Sequence, residues 1–161
     1  MDVTISYNDG IIFIEAKYLA PVSLKTTHDR HRDQVIRYLD LAAYHYLNST
    51  QGPITQFYLI LITDLDDPPW ILSRYRSPGN LAKGLTDPGF IGKNRNDVSK
   101  LLADSIGWTS WGKIKDILKL TRENFRAEAE KRFVDDLVFY LEYKIKEAVR
   151  IRNERNQMNF W

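Results

Sequence analysis

The sequence predicts an α/β protein in which a small mixed β-sheet, built from a hairpin and one βαβ crossover, precedes a helical C-terminal half. Three observations support this fold class. Two strand-like segments flank the turn-forming residues Asn8, Asp9 and Gly10 near the start of the chain. A helical pattern and a third strand-like run follow the hairpin. Beyond residue 97, apolar residues recur every three to four positions, which is typical of amphipathic helices.

The hairpin is predicted from side-chain periodicity. Val3, Ile5 and Tyr7 alternate with polar residues, as in a β-strand with one apolar face. The run IIFIEAKY, residues 11–18, is nearly continuous in apolar character up to its glutamate, as expected of a strand covered on both faces. Two antiparallel strands are therefore expected around a turn at residues 8–10.

The geometry of this hairpin brings three charged residues together. A two-residue turn at Asn8-Asp9 pairs residues whose numbers sum to 17, whereas a turn one residue later gives a sum of 19. In either register Asp2, Glu15 and Lys17 lie on one side of the sheet, because side chains alternate with a period of two. A three-residue loop with a β-bulge would not give this arrangement.

Two carboxylates beside an ammonium group on a buried strand suit a divalent cation. Mg²⁺ prefers oxygen ligands, usually one or two carboxylates completed by water and substrate phosphates. The cation would lower the pKa of a bound water and stabilise charge at a phosphoryl centre, and Lys17 would orient that water. The alternative is a strand-end salt bridge between Glu15 and either Lys17 or Asp2, worth at most about 1 kcal/mol if it is exposed.

A helix and a third strand are predicted after the hairpin. The helix covers residues 28–47 and is capped by Thr26 or Thr27. Its apolar stripe consists of Val35, Ile36, Leu39, Ala42, Ala43, Tyr46 and Leu47. Gln34 and Tyr38 lie one turn apart beside that stripe, where they are either site residues or ordinary residues of the helix edge. The run QFYLILIT, residues 56–63, is a buried strand that a right-handed crossover places parallel to the second strand, with Asp64 at its carboxyl end.

These residues resemble the motif of the PD-(D/E)XK nuclease superfamily, whose fold is restriction-endonuclease-like. The resemblance is carried by Asp2, Glu15, Ala16, Lys17, Gln34 and Tyr38. It covers the first third of the chain and extends loosely through the strand at residues 56–63. The family's core begins with a helix and another strand upstream of the first acid, so the chain is expected to be either truncated at its N-terminus or a reduced member of the family.

The resemblance implies a metal-dependent nuclease that hydrolyses phosphodiester bonds of DNA, with Mg²⁺ or Mn²⁺ as its cofactor. In the family, the positions of Asp2 and Glu15 hold the metal, together with the backbone carbonyl between glutamate and lysine, here that of Ala16. The position of Lys17 assists the attacking water. The helix glutamine and tyrosine help to orient the site and the bound nucleic acid.

Cationic side chains in two regions are candidates for binding the nucleic-acid backbone. They are Lys25, Arg30, Arg32, Arg74 and Arg76. The first three flank the predicted start of the helix, where arginines beside free backbone N–H groups suit a phosphate. The other two lie in residues 66–97, which repeated proline and glycine predict to be one long loop, with a short strand or helix near Trp70–Tyr75 left open. Aromatic residues interleave with cations there, either to stack on bases or to anchor the loop to the domain.

The C-terminal part, residues 98–161, is predicted to be helical. One helix covers residues 96–105, a second follows a cap at Thr109 or Ser110, and the last covers residues 122–156. The second helix is expected to pack through Trp108, Trp111, Ile114, Ile117 and Leu118. The last helix is long for a small domain, which is compatible with a homodimer formed through it. Its basic end either complements the helix dipole or contacts a nucleic-acid backbone.

Length and composition bound these predictions. With 161 residues, of which 43% are hydrophobic, a single domain over residues 1–161 is expected, with a nuclease-like core at 1–65. The formal charge of +2 gives no strong basic field, so affinity for DNA must come from local patches. The lack of cysteine and of a signal-peptide pattern favours a soluble, cytoplasmic protein with no membrane partner.

Two other functions are compatible with the same residues. One is a catalytically inactive relative that binds nucleic acid or regulates a larger nuclease, and it would bind without metal-dependent cleavage. The other is a dimerisation module whose long C-terminal helix self-associates while the sheet serves only as a scaffold. Its self-association would not depend on Glu15 or on metal.

Overall fold

The structure is a computed structural model that describes residues 3–7, 9–20, 33–48, 56–64, 67–85 and 95–158, with only the backbone described at 45–48 and 95–96. The fold is α/β, as predicted. In chain order the elements are β1 (Val3–Tyr7), β2 (Gly10–Ala16), α1 (Gln34–Asn48), β3 (Gln56–Thr63), α2 (Trp70–Tyr75), α3 (Pro78–Gly84), α4 (Arg95–Asp104), β4 (Ile106–Ser110), α5 (Trp111–Thr121) and α6 (Glu128–Met158).

The four strands form one mixed sheet in the order β1-β2-β3-β4. β1 pairs antiparallel with β2, and Tyr7 lies opposite Gly10, so the numbers of paired residues sum to 17. The first of the two predicted registers is therefore correct. β3 and β4 continue the sheet as parallel strands, which confirms the predicted crossover for β3. β4 was not predicted, because its five residues, IGWTS, show no clear alternation.

Gly10 is needed in this hairpin because another side chain approaches its backbone closely. The ring of Tyr7 occupies the position that a Cβ on Gly10 would take. The Tyr7 hydroxyl donates a 3.0 Å hydrogen bond to Oε1 of Gln56 at the start of β3. A larger residue at position 10 would displace the ring and break this bond.

β2 has one buried and one half-buried face, which corrects the prediction of a strand covered on both faces. Ile11, Phe13 and Glu15 are buried, whereas Ile12 and Ile14 are half-buried. The sequence pattern was misleading because both faces carry β-branched residues, although the main hydrophobic core forms on only one of them.

The described residues form two compact units. The first contains those within Met1–Ala16, Pro21–Leu61 and Pro68–Trp108, and the second those within Lys17–Ala20, Ile62–Asp67 and Thr109–Trp161. The core of the first unit joins one face of the sheet to α1, α2, α3 and α4. Its largest fully buried side chains are Phe13, Phe57, Leu39, Leu59, Leu61, Ile71, Leu72, Leu81, Leu102, Val35 and Val98. In the second unit α5 packs against α6, whose buried residues are Val134, Leu141 and Ala148.

The start of α1 differs from the prediction. Asp33 is not helical and the helix begins at Gln34, so the predicted start near residue 28 was about two turns too early. The cap is Asp33, whose Oδ1 accepts a 2.9 Å hydrogen bond from the backbone N–H of Ile36. Thr26 and Thr27, the predicted caps, lie outside the described residues.

The stretch predicted to be one long loop contains α2 and α3. The proline-rich punctuation was misleading, because Pro78 is the first residue of α3, a position where its missing N–H costs nothing. α4 agrees with the predicted helix to within one residue at each end.

The helices of the second unit also differ in part from the prediction. Ser110 caps α5 by accepting a 3.2 Å hydrogen bond from the backbone N–H of Lys113, as predicted. No residue of α5 is fully buried, however, and Ile117 is 56% exposed, whereas Trp108, just before the helix, packs half-buried against the core of the first unit, so the expected core stripe is only partly formed. A 3₁₀ turn, Arg122–Asn124, and an extended Phe125 separate α5 from α6, which therefore begins six residues later than predicted.

Within the described ranges, no helix combines the length and the apolar character that crossing a membrane requires.

Candidate active site

The candidate site is built on the buried face of β2. Alternation along the strand puts Phe13 and Glu15 on the same face, and they are only 1% and 2% exposed. The Phe13 ring lies edge-on to that of Phe57 in β3, with ring centroids 5.4 Å apart, and its centroid is 6.5 Å from that of Tyr38 in α1. The Glu15 carboxylate therefore lies on the strand face that also presents the Phe13 ring to the core of the first unit.

α1 is positioned so that its first turn reaches this carboxylate. The Asp33 cap sets the start of the helix, and Gln34 is its first residue. Tyr38 follows one turn later, so that the two side chains lie on the same flank of the helix. Because the Asp33 cap fixes the start of α1, it also fixes which residues of the first two turns face β2.

Both side chains donate hydrogen bonds to Glu15. The Tyr38 hydroxyl donates to Oε2 at 2.6 Å, and Nε2 of Gln34 donates to Oε1. Nε2 of Gln34 also donates to the Tyr38 hydroxyl oxygen at 2.9 Å. The structure therefore brings together three of the residues that the sequence places in the site, in a closed ring of hydrogen bonds.

These bonds explain how a carboxylate is tolerated in the core. An unpaired buried carboxylate would lose its hydration without compensation, and buried polar groups are almost always hydrogen-bonded for this reason. Here each Glu15 oxygen receives a donor. A carboxylate oxygen has two lone pairs, so a hydrogen bond on each oxygen does not prevent the group from also binding a cation.

A second buried acid supports the first turn of α1. Asp33 is 5% exposed, and its Oδ2 accepts a hydrogen bond from the hydroxyl of Tyr75, which lies in α2 and is 3% exposed. Asp33 thus joins the start of α1 to α2, directly before Gln34. Neither Asp33 nor Tyr75 was predicted to be part of the site. An aspartate three positions before an apolar helix residue was an available cap signal, whereas nothing in the sequence connects Tyr75 with Asp33.

The residues after Glu15 divide between the two units. Ala16 is the last residue of β2, and Lys17 is the first residue of the second unit. The backbone N–H of Lys17 donates a 2.7 Å hydrogen bond to the carbonyl of Ile62, and its carbonyl accepts one of 3.2 Å from Nε1 of Trp111. The backbone of Lys17 is therefore held on both sides.

The predicted nucleic-acid contacts are only partly described. Arg74 is in the last turn of α2 and Arg76 caps that helix, and both side chains are exposed. The guanidinium carbon of Arg74 lies 5.4 Å from the ring centroid of Tyr75. The predicted site residues that fall outside the described ranges are Asp2, Lys25, Arg30 and Arg32.

The donor set can be compared with the needs of a divalent cation. In the described part of the chain, no group of three or more His, Cys, Asp or Glu side chains is arranged to hold a metal. The predicted ligands within it are the Glu15 carboxylate and the Ala16 carbonyl. Both are hard oxygen donors, and Mg²⁺ commonly binds through one or two carboxylates while keeping several waters. The donors therefore fit Mg²⁺ or Mn²⁺ in chemical type.

Asp64, at the carboxyl end of β3, has structural partners within the second unit. Its side chain is 4% exposed, and Oδ2 lies 2.5 Å from Nη2 of Arg152. The same oxygen accepts a 3.1 Å hydrogen bond from the backbone N–H of Leu19. Leu19 has a φ of 56°, which a bulky residue adopts only at a cost, and the bond to Asp64 stabilises that conformation.

Comparison of the chain with protein-family models, with curated proteins and with solved structures found no match. Its function is therefore inferred from the site itself.

Proposed function

We propose that the protein is a metal-dependent nuclease that hydrolyses phosphodiester bonds of DNA with Mg²⁺ or Mn²⁺. The observation that supports this most is the ring of hydrogen bonds among Glu15, Gln34 and Tyr38. A buried glutamate near the end of a hydrophobic strand, held by a glutamine and a tyrosine one turn apart on the next helix, matches the PD-(D/E)XK resemblance residue by residue.

A purely structural role explains this cluster less well. A buried charge needs nearly perfect partners merely to offset its desolvation, and apolar residues of similar size are often at least as stabilising. The neighbours of Glu15 on the same face, Phe13 and Ile11, are apolar. A carboxylate that is costly to bury but well oriented by two donors is more typical of a ligand or catalytic group.

The proposed roles follow from the donor types. Glu15 and the Ala16 carbonyl, together with Asp2, would hold the cation. Once bound, the cation would lower the pKa of a coordinated water and neutralise charge on the phosphate. Lys17, two positions after Glu15 in the chain, would orient the attacking water. Gln34 and Tyr38 would keep the Glu15 carboxylate in one orientation through the bonds described above.

Binding of the DNA backbone is assigned to local cations, since the net charge is only +2. Arg74 and Arg76 are exposed at one end of α2 and are available to phosphate oxygens. Lys25, Arg30 and Arg32 are proposed for the same role on the basis of the sequence. Each such contact would weaken as the salt concentration rises, because cations released from DNA drive the binding.

The test is cleavage of plasmid and single-stranded DNA in Mg²⁺, Mn²⁺ or EDTA by the wild-type protein and two variants. Glu15→Gln keeps the size of the side chain and removes its charge, and Lys17→Ala removes the ammonium group. We expect metal-dependent cleavage that each variant reduces by at least about 100-fold. The matched controls, Glu128→Gln and Lys100→Ala, change exposed residues and should cleave at the wild-type rate.

Two results would contradict the proposal. Cleavage that survives Glu15→Gln would come from another site or a contaminant. A folded protein without cleavage in either metal would not be a nuclease. If that protein still bound DNA in a gel-shift assay, the role of an inactive relative would replace the enzymatic one.

A second candidate function, self-association through α6, is favoured by the exposed aromatic side chains of that helix. Phe133, Phe139, Tyr140 and Tyr143 are 54–75% exposed. Apolar side chains exposed in such number on one helix are typical of an interaction surface. Sedimentation should then show a dimer that Phe139→Ser dissociates and Arg132→Ser, a change at another exposed position, does not. A wild-type monomer at about 100 μM would exclude a dimer of micromolar or tighter affinity.

A further inference from the structure

A cavity of about 470 Å³ lies in the second unit, and its chemistry is distinct from that of the Glu15 cluster. Three aromatic residues line it: Tyr18, Trp111 and Tyr140. Aliphatic side chains of α6 complete the apolar wall, and the polar residues are Asp64 and Lys144. Its volume is within the range of small-molecule sites, which are mostly apolar with a few placed polar groups.

The aromatic walls are held in position by hydrogen bonds. Nε1 of Trp111 donates to the carbonyl of Lys17. The Tyr18 hydroxyl lies 2.8 Å from Oε2 of Glu147 and 3.1 Å from the carbonyl of Lys144, both acceptors. Burial and the Glu147 carboxylate raise the pKa of Tyr18, so the hydroxyl stays protonated at neutral pH and keeps donating. Preorganised rings lose little entropy when a planar ligand stacks on them.

Asp64 offers a buried acceptor at this cavity. Both of its contacts within the described part of the chain, to Leu19 N–H and to Nη2 of Arg152, are made by Oδ2. A carboxylate has two acceptor oxygens, so the second oxygen, Oδ1, can accept a hydrogen bond from a ligand. The Asp64 side chain is only 4% exposed to solvent. A hydrogen bond to it would be stronger than one on an open surface, because the local dielectric constant is lower.

A cationic side chain, that of Lys144, lies beside one of the aromatic rings that line the cavity. Nζ of Lys144 lies 5.0 Å from the ring centroid of Tyr18, and its hydrogen bond to Glu147 raises the pKa of the lysine. Arg152 follows Lys144 on the same side of α6, about two turns later. Lys144 is paired with Glu147 and Arg152 with Asp64, so these charges are balanced and a neutral ring can enter the cavity without separating an ion pair.

We propose that this cavity binds a nucleobase with an exocyclic amino group, namely adenine, cytosine or guanine, from a single-stranded or unpaired part of the substrate. The ring stacks on the aromatic side chains, and its amino group donates to Oδ1 of Asp64. Lys144 or Arg152 contacts the attached phosphate. The inference rests on the proposed function, because it names the part of the nucleic acid that the second unit recognises.

The experiment is a titration of the wild-type protein with dAMP, dCMP, dGMP and dTMP in EDTA, followed by tryptophan fluorescence. We expect saturable quenching that is absent in Trp111→Phe, since a stacked base quenches the indole beside it. dTMP, which has no exocyclic amine, should bind about 10-fold more weakly than dAMP. A short deoxyadenosine oligonucleotide should bind more tightly than dAMP, because it adds phosphate contacts.

Two matched variants on α6, one inside and one outside the cavity, test whether the nucleotide binds in the cavity. Tyr140→Ala removes one wall and should weaken dAMP binding by about 5- to 150-fold. Val149→Ala is the control, because Val149 is on the same helix and is 52% exposed against 54% for Tyr140, but does not line the cavity. Both positions are exposed, so neither variant should unfold the protein.

Several results would overturn the inference. These are an absence of quenching at millimolar nucleotide, equal binding of dTMP, or equal weakening by Val149→Ala. A change in sedimentation with Tyr140→Ala, without any change in nucleotide binding, would assign the cavity to a protein side chain instead. Because the titration needs no cleavage, Glu15→Gln protein can be used in parallel. If it binds dAMP but the wild type cleaves nothing, only the nuclease proposal fails; if cleavage occurs without quenching, only the base pocket fails.

Discussion

The Tyr38 hydroxyl donates a 2.6 Å hydrogen bond to Oε2 of Glu15, and this bond connects the first helix to the buried face of the second strand. Removing the hydroxyl leaves the Phe13 contact in place but deprives a buried carboxylate of one donor. Tyr38→Phe should therefore reduce the free energy of unfolding by about 1–3 kcal/mol. If Glu15 binds the catalytic cation, the variant should also lose about 10- to 100-fold in cleavage activity.

Chemical denaturation and the plasmid assay measure these two effects. Tyr44→Phe is the control, because Tyr44 is on the same helix but is 51% exposed. A Tyr38→Phe protein with wild-type stability and activity would show that the hydroxyl does not support Glu15.

The Asp33–Tyr75 pair should stabilise the first unit through two separable effects. Asp33→Ala removes the cap of α1 and the Asp33 acceptor of the buried Tyr75 hydroxyl, so we expect a loss of about 2–4 kcal/mol. Tyr75→Phe should then cost less in the Asp33→Ala background than in the wild type, because the hydrogen bond between the two side chains is already absent. A double-mutant cycle by urea denaturation measures the coupling. Strictly additive effects would contradict a direct interaction.

Asp64 should stabilise the second unit through Leu19 and Arg152. Asp64→Ala leaves the Leu19 N–H and the Arg152 guanidinium without their shared acceptor, so we expect a loss of about 1–3 kcal/mol. The loss should stay below that of a fully buried pair, because Arg152 is 32% exposed. Thermal unfolding measures it, with Asp67→Ala, at an exposed position, as the control. An unchanged midpoint would show that these contacts contribute nothing.

The ion pairs between α5, the 3₁₀ turn and α6 predict how stability depends on pH. The Lys119 hydrogen bond lowers the pKa of Glu142 from its usual 4.5, and the Arg122 hydrogen bond lowers that of Asp135 from 3.8. A carboxylate with a lowered folded-state pKa stabilises the protein fully above its unfolded pKa. That contribution is lost as the pH falls through the folded value.

The melting temperature should therefore fall as the pH is lowered below about 4.5, and the fall should be smaller in Glu142→Gln and Asp135→Asn than in the wild type. Asp136→Asn is the control, since no ion pair of Asp136 is found among the described residues. A pH dependence unchanged by all three substitutions would mean that these pairs, which are solvent-exposed, are too weak to matter.

Much of the fold followed from local patterns. β3 was predicted at its observed bounds, Gln56–Thr63, because β-branched and aromatic residues there are continuous and end at turn residues. The Ser110 cap followed from its position before a helical stripe, whereas the turn residues left two hairpin registers open, of which the structure has the one with a sum of 17. The candidate residues Glu15, Gln34 and Tyr38 were selected through the resemblance to the nuclease motif, since spacing alone left Gln34 and Tyr38 as either site residues or ordinary residues of the helix edge.

The predictions that the structure corrects involve properties that depend on distant parts of the chain. α5 has the periodicity of a core helix, yet Ile117 and Leu120 are 56% and 82% exposed, because burial depends on which partner surface reaches a helix. β4 becomes a strand beside β3, where the Leu59 N–H donates to the carbonyl of Ser105, just before β4 begins. Neighbouring strands can impose extended structure on a segment whose own propensity is weak.

The sequence by itself determined the residue types of the candidate site, the strand and helix that carry them, and the two registers between which the hairpin could choose. These depend on turn length and on periods of two and 3.6 residues, which are local properties of the chain. Only the tertiary structure decided that Glu15 is buried, that Asp33 is held by Tyr75, and that Asp64 is bound by Leu19 and Arg152. Those contacts join residues 42 to 88 positions apart, and packing, rather than spacing, brings such residues together.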